Sequence, residues 1–291
     1  MTNLRDRAVL ITYIRGSRRR RASGLLVRDG LVITANHCTS GDADTYQVWA
    51  HGAPYPARVV WQSNSSHVDL ALIEAATLTV EPMRLARLHT GSDARIDDVE
   101  CICFPSWMRP DAHSDTGPLG GDRRAQLFGS LPLGARGAAR GDDPAAQLPV
   151  FTIDGRSTTP SVEGLSPLEI ADRWRGASGG GLQLQDGGIK YCVGIVSAKE
   201  VKEAPNSLRV VSFDLVDNIE DPDHSRKFWR LLGVREDAIH ILPNDRRTIT
   251  TKRLAHLREW RNDIARETFL ELEKLIMLQE LGIPRPNLED K

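Results

Sequence analysis

No stretch of this 291-residue chain approaches the roughly 18 consecutive apolar residues that a membrane-crossing helix needs. The apolar run nearest the N-terminus, Ala8-Val-Leu-Ile-Thr-Tyr-Ile14, is too short for the core of a secretory signal, and no cleavage site follows it. The expectation is a chain that stays in the cytoplasm and has no membrane partner. Charge imbalance is missing as well: 38 Lys and Arg against 39 Asp and Glu leave a formal net charge of −1. That balance gives no reason to expect a nucleic-acid partner. Cysteine is scarce. The four are Cys38, Cys101, Cys103 and Cys192, and none has metal-ligand spacing with a histidine except the adjacent His37–Cys38 pair, which lacks a second half. Cys101 and Cys103 lie two apart on a predicted strand and face the same side, a poor geometry for bridging each other. Free, mostly buried thiols in a reducing compartment are expected, with no metal and no cofactor. Internal repeats are absent too.

What the chain does have is hydrophobic content of 40% and charged content of 26%, ordinary for a folded domain. From residue 8 to about 105 it runs in short apolar segments separated by Gly, Asn, Asp and Pro. Examples are Ser23-Gly-Leu-Leu-Val27, Leu31-Val-Ile-Thr34, Tyr46-Gln-Val-Trp-Ala50, Ala57-Arg-Val-Val-Trp61 and Val99-Glu-Cys-Ile-Cys-Phe104. These are rich in β-branched and aromatic residues and too short for helices, which predicts an all-β barrel or sandwich. Residues 106–147 are dominated by Gly, Pro, Asp, Arg and Ala and read as a long surface insertion, with one strand predicted near Arg124–Leu131. Strands return at Pro149–Ile153, Gly181–Leu184, Ile189–Ser197 and Leu208–Phe213. The period then changes. Ser225–Leu232 predicts a short helix ended by Gly233. Thr251–Leu281 carries Leu254, Leu257, Trp260, Ile264, Phe269 and Leu272 mostly at spacings of three and four, a long amphipathic helix.

Three segments carry residues suited to nucleophilic catalysis. They are Thr34-Ala-Asn-His37-Cys38, His67-Val-Asp69-Leu-Ala-Leu-Ile73, and Arg175-Gly176-Ala-Ser178-Gly179-Gly180-Gly181. A serine hydroxyl is a weak nucleophile and needs a histidine to take its proton during attack. A carboxylate is then needed to fix the imidazole tautomer and stabilise the imidazolium. Glycines beside the serine let the backbone turn tightly and aim N–H groups at a developing oxyanion. In this order and on these strands the segments resemble the triad motifs of the chymotrypsin/trypsin-like serine peptidases. The resemblance spans roughly residues 8–215 in strand order, with close matches only at the three motifs and their neighbouring strands.

That resemblance implies a mostly β protein of two six-stranded antiparallel β-barrels, here with a C-terminal α-helical extension. Residues 1–220 would form the peptidase domain and 221–291 the extension. The implied activity is hydrolysis of protein or peptide substrates by Ser178, with His37 as general base, Asp69 orienting it, and the Gly176 and Ser178 N–H groups as the oxyanion hole. Several family features are missing. Ala177 stands where an aspartate often receives the new N-terminus of an activated zymogen, and no activation sequence is present. The cysteine that usually bridges the one after the catalytic histidine has no counterpart near Ala22.

For specificity, Asp172 lies six residues before Ser178, where trypsin-like members keep the acid that selects Lys or Arg. Pro167–Asp172 also reads as a helical turn with a surface acid, and both readings stand at this level. Ser197 matches the serine that supports the triad aspartate, and residues Ser197, Ala198 and Lys199 match the strand that pairs with substrate. The run Arg18-Arg19-Arg20-Arg21 reads as a solvated hairpin tip, the alternative being a specific anionic contact. The helix at 251–281 is either packed on the barrels or a docking arm for a regulatory protein, as in effectors of bacterial defence or signalling systems. A catalytically silent peptide-binding module is the rival to the peptidase.

Overall fold

The computed structural model describes residues 4–40, 45–65, 68–88, 95–108, 124–132, 150–157, 159, 163–199, 207–234 and 239–242. The predicted helix at 251–281 and most of the predicted insertion, 109–123 and 133–147, lie outside them. After a four-residue helical turn, α1 (Leu4–Arg7), the chain enters β1 (Ala8–Arg15), β2 (Arg18–Arg28), β3 (Leu31–Thr34), β4 (Tyr46–Ala50), β5 (Ala53–Gln62) and β6 (Ala71–Glu74). These close into a barrel in the order β1-β2-β3-β6-β5-β4. A short strand, β7 (Ala86–Leu88), precedes the second set: β8 (Arg95–Cys103), β9 (Ala125–Pro132), β10 (Val150–Ile153), β11 (Gly181–Asp186), β12 (Ile189–Lys199) and β13 (Ser207–Ser212). This second barrel has the order β10-β13-β12-β11-β8-β9. Numbered from its own first strand, it reads 1-2-3-6-5-4 around the ring, the same as the first. The mostly β architecture of two six-stranded antiparallel barrels is as the motifs implied.

Closure explains why so short a set of strands is stable: a barrel leaves no unpaired sheet edge. The first barrel is filled by Val9, Ile11, Leu25, Val32, Ile33, Val48 and Leu72, none more than 1% exposed. The apolar runs seen in the sequence are therefore the inward faces, and the Ala8–Ile14 run is strand β1.

Two helices flank the barrels near the residues of interest. Helix α2 (Pro167–Arg173) starts at Ser166, whose side chain accepts from Glu169 N while the Glu169 carboxylate accepts from Ser166 N. This reciprocal cap, with proline at the first turn, explains why the Pro167–Asp172 segment is helical. Helix α3 (Pro222–Leu232) is capped by Asp221 and ends at Gly233, whose φ of 67° suits glycine. Its Phe228 and Trp229 are buried, and Trp61 of β5 stacks on His224 with ring centroids 5.0 Å apart. Burial of each large side chain is worth about 1.5–3 kcal/mol, against about 1 kcal/mol for the cap, so packing on the first barrel holds this helix. The chain divides into two compact units, Met1–Ile241 and Leu242–Lys291; both barrels and α3 belong to the first. Among the described residues no helix is long and apolar enough to cross a membrane. All four cysteines are free and buried.

Candidate active site

His37 and Asp69 meet because of the strand order. Strands β3 and β6 are antiparallel neighbours with Thr34 opposite Ala71. The residues just after β3 and just before β6 therefore emerge at the same end of the barrel. His37 sits in a one-turn 3-10 segment, Asn36–Cys38, directly after β3, and Asp69 stands two residues before β6. The Asp69 carboxylate accepts from the His37 backbone N–H at 2.8 Å through Oδ1 and lies 2.8 Å from the His37 ring Nδ1 through Oδ2. A third contact comes from the other barrel: Ser197 Oγ donates to Asp69 Oδ2 at 2.5 Å.

These contacts set the electrostatics. Burial pushes the Asp69 carboxyl up, but the hydrogen bond and charge of His37, with help from Ser197, outweigh it and hold the carboxyl below its ordinary value. For His37 burial opposes protonation, yet the bond to Asp69, a contribution from Cys38 and the Asp69 charge raise the imidazole to about 10. The His37 side chain is 52% exposed and Asp69 20% exposed, so the ring reaches the cleft while its partner stays sheltered.

Ser178 arrives from the second barrel, on the loop between α2 and β11. The loop is built around two glycines. Gly176 has φ of +92° and Gly179 φ of +88°, backbone that L side chains rarely adopt. A Cβ on Gly179 would stand 1.9 Å from the Ser23 carbonyl oxygen and 2.5 Å from Thr34 Oγ1. No side chain fits there.

The loop is tied to the first barrel through Ser23, a buried residue of β2. Ser23 N donates to Ser178 O at 2.8 Å, and Ser23 Oγ donates to Gly176 O at 2.6 Å while accepting from Phe104 N at 2.8 Å. Thr34 Oγ1 donates to Ser23 O at 2.7 Å and locks the arrangement from behind. The Arg175 carbonyl accepts from Ser106 N at 2.8 Å. Because N–H and C=O point oppositely across a trans peptide, the Gly176 N–H is aimed away from Ser106. Neither Gly176 N nor Ser178 N makes a hydrogen bond among the described residues, whereas Gly179 N and Gly180 N both do. Two free, neighbouring N–H groups beside a serine are what an oxyanion needs.

The Ser178 hydroxyl itself donates to Ser197 O at 2.7 Å rather than to the His37 ring. Ser197 is the extra residue at a register shift in the β12–β13 ladder, between Val196 and Ala198. Such a bulge re-aims one residue, here putting its hydroxyl on Asp69 and its carbonyl on Ser178. Beyond it, Ala198 and Lys199 pair with Arg209 and Leu208 of β13. On the other side β11 begins only at Gly181, opposite Ile195, and Val196 bonds to the loop at Gly179 and Gly180.

Two antiparallel barrels of one topology, with His37 and Asp69 from the first facing Ser178 and Ser197 from the second, decide the architecture. The fold is chymotrypsin-like. No protein-family model matches the chain, and no curated protein matches it. Solved structures similar to it include the Rv3671c protease from M. tuberculosis in its active form, with TM-score 0.49, 19% identity and coverage of 74% of this chain and 80% of that chain. They also include the HtrA-type protease AlgW with tripeptide, at TM-score 0.46, 18% identity and coverage of 72% and 57%. The protease Anisep from Arthrobacter nicotinovorans has TM-score 0.46, 14% identity and coverage of 71% and 90%.

The structure thus brings His37, Asp69, Gly176, Ser178 and Ser197 together, with Ala198 and Lys199 following on β12. Asp172 is not with them. It lies on α2 with its side chain 67% exposed and forms an ion pair with Arg175. A capped helix puts this carboxylate at the surface, already neutralised, rather than at the base of a pocket. Ser23 and Thr34 had no role assigned from the sequence. Their signal was a hydroxyl in each of two otherwise apolar inward-facing runs. The residues around His37 and Ser178 form a cleft of about 690 Å³, whose wall includes the Arg18–Arg21 run.

Proposed function

We propose that the chain is a serine endopeptidase that cleaves protein or peptide substrates through an acyl-enzyme. The observation that supports this most is the single carboxylate, Asp69, gripping His37 from one barrel and Ser197 from the other beside a serine with two unengaged N–H neighbours. With its Nδ1 proton directed to Asp69, His37 keeps Nε2 for the Ser178 proton. Ser178 Oγ attacks the scissile carbonyl, His37 takes the proton, and the oxyanion settles on the N–H groups of Gly176 and Ser178. The amine leaves with the proton from His37, forming the ester. Water then repeats the sequence and releases the acid.

Before attack the Ser178 hydroxyl must turn from Ser197 O toward His37, a rotamer change on the picosecond-to-nanosecond scale. Among the described residues no strand pairs with β12 beyond Ile195 on its β11 side, which supports addition of the substrate there as an extra strand. Preference for cleavage after Lys or Arg has no support from the surface position of Asp172. The apolar spacing of residues 251–281 supports a regulatory docking role, in a defence or signalling assembly, and deletion of 250–291 tests it: lost partner capture with retained hydrolysis is the expected result.

The peptidase reading is tested by a fluorophosphonate probe and a peptide-library digest with wild type and Ser178→Ala. Labelling and cleavage by wild type alone are expected. A folded wild type that binds peptide without labelling or cleaving would establish instead a silent binding module, the reading that the Ser178–Ser197 contact favours.

A further inference from the structure

The Arg18–Arg21 run is part of the site, not a remote hairpin tip. Strand β2 begins with these residues and pairs with β1 so that Arg18, Arg19, Arg20 and Arg21 lie opposite Arg15, Ile14, Tyr13 and Thr12. With Arg15 and Arg175 they make six arginines lining the one cleft that also holds His37 and Ser178. Among the described residues lining that cleft there is no Asp or Glu. Arg15 donates to Ser40 O and lies over the Tyr13 ring, Arg175 is paired with Asp172, and Arg19 and Arg21 also have interactions of their own. Arg18 and Arg20 make no ion pair among the described residues. Arg18 also faces Arg15 directly across the hairpin, and like charges in that position destabilise a strand pair. Positive charge is thus concentrated at this cleft, on a chain whose overall charge is −1.

We propose that this arginine wall selects acidic substrates, recognising Asp or Glu residues on the carboxy-terminal side of the scissile bond. The inference rests on the serine-peptidase reading of the same cleft. The side follows from the layout. By the resemblance, residues before the scissile bond would add to β12 of the second barrel, and residues after it would then pass the first barrel, where Tyr13 and Arg15 of the β1–β2 hairpin line the cleft with Cys38. Guanidinium groups suit carboxylates because two parallel N–H groups meet two oxygens. A cleft lined by one sign of charge also concentrates oppositely charged ligands and repels like ones, so basic segments bind poorly here. An acidic polypeptide fits better than a nucleic acid because the cleft is centred on a group for acyl chemistry and offers no aromatic platform beyond Tyr13 among its described lining residues.

The test uses matched quenched fluorogenic peptides built on a sequence cleaved in the library digest, differing only in Glu, Gln or Lys at the first three positions after the bond. The expected kcat/KM is about tenfold higher for Glu than for Gln at low salt, narrowing toward equality near 0.5 M salt. In the Arg18→Glu/Arg20→Glu variant the order reverses in favour of Lys. Equal rates at all salt concentrations, or a preference confined to acids before the bond, overturn the proposal. Absence of cleavage and of Ser178 labelling is a failure of the peptidase reading only. In that case fluorescence anisotropy of one labelled peptide in Glu, Gln and Lys versions on the folded wild type, against the Arg18→Glu/Arg20→Glu variant, still reads the acidic preference. Tighter binding of a single-stranded oligonucleotide than of the Glu peptide also overturns the proposal.

Discussion

Strand for strand, β1–β6 and β8–β13 are laid out in the same order, yet the groups proposed for catalysis leave the two rings at different points. In the first barrel His37 follows the third strand and Asp69 precedes the sixth. Those strands are neighbours, so one barrel's own hydrogen bonding brings the pair together. In the second barrel Ser178 precedes the fourth strand, and its loop is held both by Val196 of its own barrel and by Ser23 of the other. The His37–Asp69 pair is a local product of one sheet. Ser178 and the N–H groups beside it are set at the seam.

The largest test of this division removes one group from each side. Ser178→Ala and His37→Ala should each lower kcat/KM on a cleaved peptide by on the order of 10⁴ or more, and the double variant should be no worse than either single one. Additive losses would mean that the barrels act independently.

Next in size are the seam residues. Gly179→Ala puts a methyl group against Ser23 O at positive φ, and should cost about 2–4 kcal/mol in urea unfolding along with most activity. Ser23→Ala leaves Phe104 N and Gly176 O without their partner, a loss of about 1–3 kcal/mol. Its signature should be a fall in kcat with little change in KM, because the oxyanion donors shift while the cleft stays open. A rise in KM alone would place Ser23 in substrate binding instead.

The smallest effect is on pH. Catalysis needs neutral His37, and its ring is raised to about 10, so the activity of the free enzyme should climb through the alkaline range. Asp69→Asn removes the main raising partner and should move the rising limb toward neutrality while lowering the plateau. For stability the sign is opposite. The folded value lies above the ordinary 6.5, so the contribution of His37 is whole below that value and is lost as pH rises toward about 10. Urea midpoints measured across that window check it.

How much of the molecule is legible in its sequence divides along the same line. His37, Asp69 and Ser178 stand in short, distinctive segments, and the apolar runs around them correspond to β2, β3, β6, β11 and β12. Strand ends are less legible: β2 starts at Arg18 rather than Ser23, because its first turn beyond the core is charged and only hairpin pairing reveals it as strand. Ser23 could not be ranked from sequence, since its partners lie 81 and 153 residues away. Asp172 illustrates the reverse. Its spacing from Ser178 matched a specificity position, but local capping by Ser166 and Glu169 fixed a helix that turned the side chain outward.

The contact between Ser178 and Ser197 discriminates between classes of inhibitor. The acceptor that a bound peptide backbone would claim is already held by the hydroxyl of the site itself, a tethered competitor at constant effective concentration. A peptidyl electrophile, whose amide N–H displaces that hydroxyl, releases the warhead's target as it docks. A compact electrophile without such a group depends on the hydroxyl leaving unaided. At equal intrinsic reactivity the peptidyl reagent labels Ser178 faster, so the ligand serves as the key to its own reaction.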